Sequence, residues 1–319
     1  MSGLWHRYPA VAYAAVMLGV LGHGSSEFVS VLSGVHGPET SVWRFMLGAA
    51  GLVVVSLAMP ATRDLWTPLK EQPAKLLALS ALGVTGGYLF FHWALDFATV
   101  VQVATITTTA PIIVAIINRA LNNQRIGVAK WISGVCALLG VALLVTDGYV
   151  AQLAGTSRNL FGMALVLISA SLISAYTVMV RPIIARYGAL RITTVTMAIG
   201  AAGLWLVLGL LWNVWANPAR LFHRPASEFS ALLVLALWNT TITQFLWIGG
   251  LAAVPDITRG MYLFFLKPVI AALLAAVILQ QLVTPLQWLA ISVICASVVL
   301  EALWPRLSAR RPGGRPSSV

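Results

Sequence analysis

Long apolar segments separated by short polar connections recur along the whole chain. A helix needs about 20 mostly apolar residues to cross a bilayer, because it rises about 1.5 Å per residue and the hydrocarbon core is about 30 Å thick. Ten segments meet this length, at residues 9–32, 40–59, 75–95, 98–118, 128–146, 159–181, 191–214, 228–250, 257–280 and 284–304. The pattern predicts an all-α polytopic membrane protein with ten transmembrane helices.

The composition agrees with a membrane protein and excludes an ordinary soluble domain. Hydrophobic residues make up 59% of the 319 positions and charged residues only 9%, whereas about a quarter of the residues of a soluble domain are charged. The first apolar run is longer than the h-region of a signal peptide, so we expect an uncleaved first helix. Cys136 and Cys295 lie in apolar stretches without a ligand motif, and we expect no cofactor and no metal.

The 20 Lys and Arg residues are distributed unevenly between alternate connections. One side of the membrane receives 15 of them, the other side three, and two (Arg44 and Lys267) fall within helices. Because positive charge collects in cytoplasmic loops, both termini are predicted to be cytoplasmic in a multi-pass protein of the inner (plasma) membrane. Residues 305–319 are rich in Pro, Gly, Arg and Ser and predict a disordered basic tail near anionic lipid.

The chain contains an internal repeat. Residues 48–52 (GAAGL) in the second predicted helix recur at residues 200–204 in the seventh, and Pro111 and Trp131 recur as Pro268 and Trp288, 157 positions later. The repeat predicts two five-helix units, residues 1–150 and 151–304. An odd number of helices per unit inverts the second unit in the membrane, and inverted repeats place a binding site at their interface.

These segments carry a resemblance to a known family. The second-helix sequence VWRFMLGAAGLVVV, the stretch from FHWALDFATVVQVATITTTAP to GVALLV, and its counterpart LWIGGLAAVPDITRGMYLFFLKPVIAALLAAVILQQ are similar to the drug/metabolite transporter superfamily, EamA type. Gln124 and Gln281 stand where that family usually has Glu. The resemblance implies a transporter of small organic solutes in the lipid bilayer, such as the YddG-type exporters of aromatic amino acids, with no nucleic-acid partner. The oligomeric state stays open.

Lys267 is the most informative single residue of the sequence. It lies about ten residues into the ninth predicted helix, close to the middle of the membrane. An ammonium there costs at least about 2.5 kcal/mol on insertion scales, so it is expected to face a cavity or a partner. It can bind a substrate carboxylate or change protonation during transport, and the alternative is a purely structural pair. Pro268, beside it, and Pro111 in the first repeat are candidate hinges, because proline interrupts helical hydrogen bonding.

His23 and Glu27 lie one turn apart on the same face of the first helix. Either can take part in proton coupling if its pKa falls in the physiological range. Glu27 also lies at a membrane depth similar to that of Arg44, at the start of the second helix. We therefore expect a fixed Glu27–Arg44 pair and assign any proton-coupling role to His23.

Polar and aromatic residues within the spans complete the set of candidates for substrate binding or gating. Tyr88, His92 and Trp93 can form an outer gate, although aromatic residues also gather at membrane interfaces. The polar residues can line a wet cavity or hold helices together. The remaining candidates are Gln102, Thr105, Thr109, Tyr176, Asn239, Gln244 and Tyr262.

The sequence also limits the function. No P-loop, H-E-x-x-H or G-x-S-x-G motif is present, so ATP hydrolysis and common hydrolase chemistry are not indicated. The prediction is a secondary active exporter of amino acids or related metabolites, driven by an ion gradient, including protons, or by exchange. A multidrug or cation efflux pump is the nearest alternative, disfavoured by the charge of Lys267. A polytopic enzyme acting on lipid-linked substrates and a channel are the alternatives from other classes.

Overall fold

The computed structural model describes residues 5, 7–34, 38–94, 96–98, 100–146, 157–217, 223–278, 280 and 282–309. Within these ranges the chain forms ten long helical spans. They are α1 (Pro9–Leu32), α2 (Pro38–Ala58), α3 (73–94), α4 (100–122), α5 (Val128–Thr146), α6 (157–187), α7 (Ala189–Trp212), α8 (226–253), α9 (257–278) and α10 (Pro285–Ala309). A short helix, Trp66–Glu71, precedes α3.

The spans confirm the predicted fold class of ten transmembrane helices. In the described part of the chain, nine helices are long and apolar enough to cross a membrane, and α1 adds a tenth of 24 residues. α10 continues to Ala309 and so includes the first five residues of the predicted tail. The predicted disorder of residues 310–319 concerns positions outside the described ranges.

Five of the helices are interrupted: α6 is divided at Val180, and the other four interruptions match between the two repeats. A π-helical segment, Ala81–Gly86, lies in α3, and another, Leu237–Ile242, lies in α8 and begins 156 positions later. α4 is divided into Val100–Thr107 and Ala110–Asn122, while α9 passes through a 3₁₀ turn, Leu263–Leu266, before it resumes at Lys267. The resumed helices carry Pro111 and Pro268 at their second position. Both candidate hinges therefore lie at real breaks of the helices.

Contacts between the two halves follow a two-fold pattern. α1 packs on α8 and α9, and its counterpart α6 packs on α3 and α4. α2 packs on α8 as α7 packs on α3, while α2 with α7, α4 with α9 and α5 with α10 pair as equivalents. Each contact is thus repeated when the halves are exchanged, which is the pattern of inverted repeats related by an axis in the membrane plane. The main helix interfaces join one half to the other.

The GAAGL repeat supplies a matched pair of close approaches between the halves. A Cβ on Gly48 or Gly51 of α2 would collide with Thr240 or Thr241 in the π-helical segment of α8. In the same way, a Cβ on Gly200 or Gly203 of α7 would collide with Val84 or Thr85 in the π-helical segment of α3. The Thr241 hydroxyl donates to the Gly48 carbonyl at 2.9 Å and the Thr85 hydroxyl to the Gly200 carbonyl at 3.0 Å. Small residues allow this approach of helix backbones in a membrane.

The two ends of the bundle carry different charges. One end, called the basic end below, holds Lys130, Arg181, Asp256 and Arg259, together with the start of α1 and the end of α10. The opposite end holds Arg224 between Glu39 and Glu228, at 3.5 and 3.4 Å. The interior between the two ends contains few charged residues, and those few define the candidate site.

Candidate functional site

An aromatic and basic cluster lies where α1 meets α8 and α9. The imidazole of His23 stands edge-on to the rings of Trp247 and Phe264, with centroid distances of 5.4 and 5.9 Å. The two rings lie 5.3 Å from each other, and the Lys267 ammonium lies 5.7 Å from the centre of the Phe264 ring. The cluster joins a side chain of the first half to three of the second half. It therefore occupies the repeat interface, where inverted-repeat transporters bind their solutes.

The break in α9 places Lys267 in this cluster. The 3₁₀ turn Leu263–Leu266 ends at Lys267, which is the first residue of the resumed helix Lys267–Ile278. On the α1 side, Gly24 lets the two helices approach closely, because a Cβ there would lie 3.1 Å from the Lys267 carbonyl oxygen. The side chains of His23 and Lys267 both border the Phe264 ring, and the Lys267 backbone N–H is bonded to the Phe264 carbonyl.

Arg44 of α2 contacts the π-helical segment of α8. Its guanidinium donates to the Thr240 hydroxyl at 3.2 Å and to the Asn239 carbonyl at 3.3 Å. The side chain of Glu27 lies outside the described part of the structure, so the expected Glu27–Arg44 pair stays a prediction. Arg44 of the first half therefore contacts α8, while Lys267 of the second half contacts the Phe264 ring beside His23.

Two polar atoms beside the cluster are buried without a hydrogen-bond partner among the described residues. They are Nε2 of His23 and Oδ1 of Asn239. The Asn239 amide nitrogen is occupied, because it donates to the Gly22 carbonyl at 2.7 Å and to the Ser25 hydroxyl at 2.9 Å. A buried polar group without a partner costs about 1 to 3 kcal/mol. Such atoms are expected where a ligand completes the hydrogen bonding.

Two further predicted site residues pair near Arg44. Gln244 of α8 donates to the hydroxyl of Tyr88 of α3 at 3.0 Å. The Tyr88 ring in turn lies 4.1 Å from the ring of Phe45, which also stands under the Arg44 guanidinium. Asn239 and Gln244 lie on α8, Arg44, Tyr88 and His23 contact α8, and Lys267 reaches the same region through Phe264. Their role in one solute site stays a prediction.

The other predicted site residues lie elsewhere in the bundle. Trp93 belongs to an aromatic cluster with Phe97, Phe161 and Trp212 near the opposite end. Of the polar residues on α4, Gln102 accepts from Asn159 at 3.1 Å, Thr105 is buried, and Thr109 bonds the carbonyl of Ile106 at 2.7 Å. Tyr176 is buried between α6 and α7, where its hydroxyl pairs with Thr196 at 2.8 Å. The His92 side chain lies outside the described part.

Tyr262 lies at the basic end, in a contact between the halves. Its hydroxyl donates to the Lys130 carbonyl at 2.5 Å, and the Lys130 ammonium forms an ion pair with Asp256. Arg259 pairs with Glu301 at 3.2 Å. The Lys130–Asp256 pair joins α5 of the first half to the α8–α9 connection of the second half. This location suits a gating residue better than a solute-binding one.

Sequence reasoning did not single out Phe264, the π-helical segments or the Lys130–Asp256 pair. Phe264 precedes Lys267 by three residues, and helical spacing would have placed both on one face. The π-helical segments have no sequence signature of their own, although the repeat offset relates one to the other. The ion pair joins residues 126 positions apart, so only the packing of the halves reveals it.

Comparison with known proteins agrees with this architecture. The family model of the EamA-like transporter family matches the chain twice, at residues 10–146 and 160–302. A solved structure superimposes on 96% of this chain and 99% of its own length with a TM-score of 0.78, at 20% sequence identity. The double match corresponds to the two halves seen in the structure.

Curated relatives are similar over most of their length. The uncharacterized transporter YyaM of Bacillus subtilis is 23% identical over 76% of this chain and 77% of its own length. The uncharacterized inner membrane transporter YicL of Salmonella typhimurium is 26% identical over 82% and 84%. The chain is therefore a multi-pass membrane transporter rather than an enzyme, and it belongs to the EamA-like transporter family.

Proposed function

We propose that the chain is a secondary active exporter of amino acids or related small metabolites that works by alternating access. One observation carries the proposal: Lys267, His23 and two aromatic rings meet at the interface of the inverted halves, beside a break in α9. In this proposal the cluster is the solute site and Lys267 binds the carboxylate. The breaks before Pro111 and Pro268 are the hinges.

The contacts at the two ends of the bundle supply the gates of this mechanism. At the basic end, Lys130 with Asp256 and the Tyr262 hydroxyl with the Lys130 carbonyl join the halves. At the opposite end, Glu39 of the first half pairs with Arg224 of the second. Rocking of the halves would break one set of contacts while it keeps the other, which opens the central site to one side at a time.

The distribution of positive charge supports one orientation of the chain in the inner membrane. The basic end is assigned to the cytoplasm because most Lys and Arg residues of the connections belong to that side. Tags on the two termini, probed in intact cells, test this assignment. Both termini should be inaccessible from outside, and a single accessible terminus would contradict the inverted arrangement as placed here.

A cation efflux pump is the nearest alternative. Arg44 and Lys267 bring two positive charges into the interior, and both repel a cationic solute. The discriminating experiment measures uptake of a labelled panel into inside-out vesicles, with and without a pH gradient. The panel contains amino acids, organic acids and quaternary ammonium compounds. Saturable uptake confined to the quaternary ammonium compounds would reject the proposed function in favour of cation efflux.

A further inference from the structure

Arg181 ties the last segment of α6 to the end of α8. It is the first residue of Arg181–Tyr187, the segment that follows the division of α6 at Val180. Its guanidinium donates through Nε to the Ala252 carbonyl at 3.0 Å and through Nη2 to the Val254 carbonyl. Both acceptors are backbone carbonyls, so the contact fixes the course of the chain rather than the side chain of a partner.

These two carbonyls belong to the buried end of α8. A helix leaves its last carbonyls without partners inside the helix, and Ala252 and Val254 are both buried. The next residue, Pro255, has no N–H that could serve as a donor. A charged guanidinium near the end of a helix is a strong donor to such carbonyls. Arg181 therefore determines how the chain leaves α8.

The α8–α9 connection, residues 254–256, carries the carboxylate of the contact at the basic end. Oδ1 of Asp256 accepts the backbone N–H of Arg259 at 3.2 Å and so caps the start of α9. Its Oδ2 accepts the ammonium of Lys130 from the first half. The Val254 carbonyl lies two positions before Asp256, so a shift of that carbonyl is expected to carry the carboxylate away from the ammonium.

α6 connects this contact to the other half. Its residues 157–179 pack on α3 and α4 of the first half, whereas residues 181–187 pack on α7 and α8 of the second half. The division at Val180 lies between the two parts, and Pro182 cannot donate the hydrogen bond that would continue the helix across it. A change of angle between the halves is therefore expected to bend α6 at this division and to move Arg181.

We propose that Arg181 is a positioning residue of the transport cycle, which holds the α8–α9 connection so that Asp256 meets Lys130 and lets it move away when α6 bends. In this role Arg181 closes the basic end without touching the solute. The inference rests on the proposed function, because it assigns a residue of α6 to one of the two gates.

A buried cysteine beside Asp256 reports whether the basic end is open. Thr258 is buried, and its segment of α9, Ile257–Tyr262, packs on α4 of the first half. Thr258→Cys is combined with Cys136→Ala and Cys295→Ala, so that the reporter is the only thiol. Its rate of reaction with a membrane-impermeant maleimide is measured on the full-length protein in lipid nanodiscs. The measurement needs no solute.

Variants of Arg181 are compared in this background. Arg181→Met is expected to raise the labelling rate at least about fivefold, because methionine lacks the donors that hold the connection. Arg181→Lys keeps a charged donor for one of the two carbonyls and should react more slowly than Arg181→Met. Arg125 is exposed in the α4–α5 connection, so the control Arg125→Met should stay within about twofold.

Thermal unfolding and gel filtration check that each variant is folded. An unchanged labelling rate in folded Arg181→Met would overturn the proposal, and so would an equal rise in Arg125→Met.

A double variant separates positioning from a general loosening of the bundle. If Arg181 acts through Asp256, Arg181→Met added to Asp256→Asn should raise the labelling rate by less than about twofold over Asp256→Asn alone. Effects that multiply in the double variant would show that Arg181 acts independently of the ion pair, which contradicts the assigned role.

Counterflow separates failure of this inference from failure of the proposed function. It is measured for the amino acids and organic acids of the panel with the unsubstituted protein in proteoliposomes. Absence of counterflow for every one of them would reject the proposed function, while the labelling rates would still decide whether Arg181 positions Asp256. Counterflow together with unchanged labelling in Arg181→Met would reject the inference alone.

Discussion

Two structurally equivalent helix interfaces of the molecule contain different kinds of side chains. α1 meets α8 and α9 through His23, Trp247, Phe264 and Lys267, and Nε2 of His23 is buried without a partner among the residues that the structure describes. The counterpart, where α6 meets α3 and α4, is closed by neutral hydrogen bonds. Those bonds are Ser169 to the Gly87 carbonyl at 2.7 Å and Ser174 to the Ala110 carbonyl at 3.5 Å, and beside them Tyr176 of α6 bonds Thr196 of α7 at 2.8 Å.

The position equivalent to Lys267 shows the same difference. Ala110 stands 157 positions before Lys267, and each is the first residue of a helix that resumes after a break. The backbone is repeated, whereas the charge is present only once. The comparison teaches that packing follows the repeat and that solute chemistry is expected to follow the departures from it. Four predictions test this division.

The largest effect is expected from Lys267→Met. Loss of the only ammonium in the central cluster should lower the counterflow rate about 100-fold, because a charge-assisted contact of about 2 to 3 kcal/mol is removed. The measurement is counterflow of the best solute of the panel in proteoliposomes at equal protein. Lys267→Arg is the control and should retain most of the rate. A normal rate in Lys267→Met would remove the functional difference between the two interfaces.

A smaller effect is expected at the Lys130–Asp256 pair. The position equivalent to Lys130 in the other half is Gln287, 157 positions later. Gln287 forms local hydrogen bonds with Thr284. Asp256→Asn should change the flux about 3- to 10-fold, because a partly exposed ion pair contributes about 1 kcal/mol. Gln287→Met should leave the flux within about twofold, since that position has no ion pair to lose.

The charge-exchanged double variant Lys130→Asp with Asp256→Lys sharpens this test. It should restore most of the flux lost in Asp256→Asn if the pair acts as a gate between the halves. Flux that stays low in the folded double variant would show that Asp256 acts through other contacts.

Tyr176→Phe is expected to change stability rather than transport. Removal of the hydroxyl leaves Thr196 bonded to the Ile192 carbonyl at 2.8 Å, so the free energy of unfolding should fall by about 1 kcal/mol. Thermal unfolding in detergent gives the stability, and counterflow of the folded protein should stay within about twofold. A large loss of transport would place the α6 interface in the solute path and break the comparison.

The smallest effects are expected at the two threonine contacts of the π-helical segments. Thr85→Val and Thr241→Val each remove a bond to a glycine carbonyl of the other half. Each should lower the unfolding free energy by about 0.6 kcal/mol, an average value for such bonds in membranes. Similar losses would support the two-fold packing. If one variant lost several times more unfolding free energy than the other, the two contacts would contribute unequally to stability.

The sequence was sufficient for the spans and the repeat because both depend on local composition and spacing. Apolar length located the ten helices to within a few residues, and Pro111 and Pro268 marked two of the interruptions. The π-helical segments were missed, since the sequences of Ala81–Gly86 and Leu237–Ile242 carry no signature of this helix type. Their widening is coupled to the close approach of glycines from the other half.

The candidate site was predicted in part for the same reason. The cost of burying Lys267 and the position of His23 on α1 pointed to the interior, and both lie in the central cluster. Tyr176 and Tyr262 were also predicted to bind solute or to gate; their hydroxyls bond Thr196 and the Lys130 carbonyl, and their roles stay a prediction. Whether a polar side chain in a span meets a neighbouring helix or a solute depends on which helices pack together, and one sequence does not specify that.

The exchanged glycine contacts have a consequence for the balance between conformations. Under the proposed mechanism, each half adopts the conformation of the other when the site turns to face the other compartment. The contact of Gly48 with Thr240 and the contact of Gly200 with Val84 then exchange equivalent surroundings. Most of the packing energy then cancels between the inward- and outward-facing forms. The equilibrium between the inward- and outward-facing forms would then depend on the few contacts that have no equivalent in the other half. The Lys130–Asp256 ion pair is one of them.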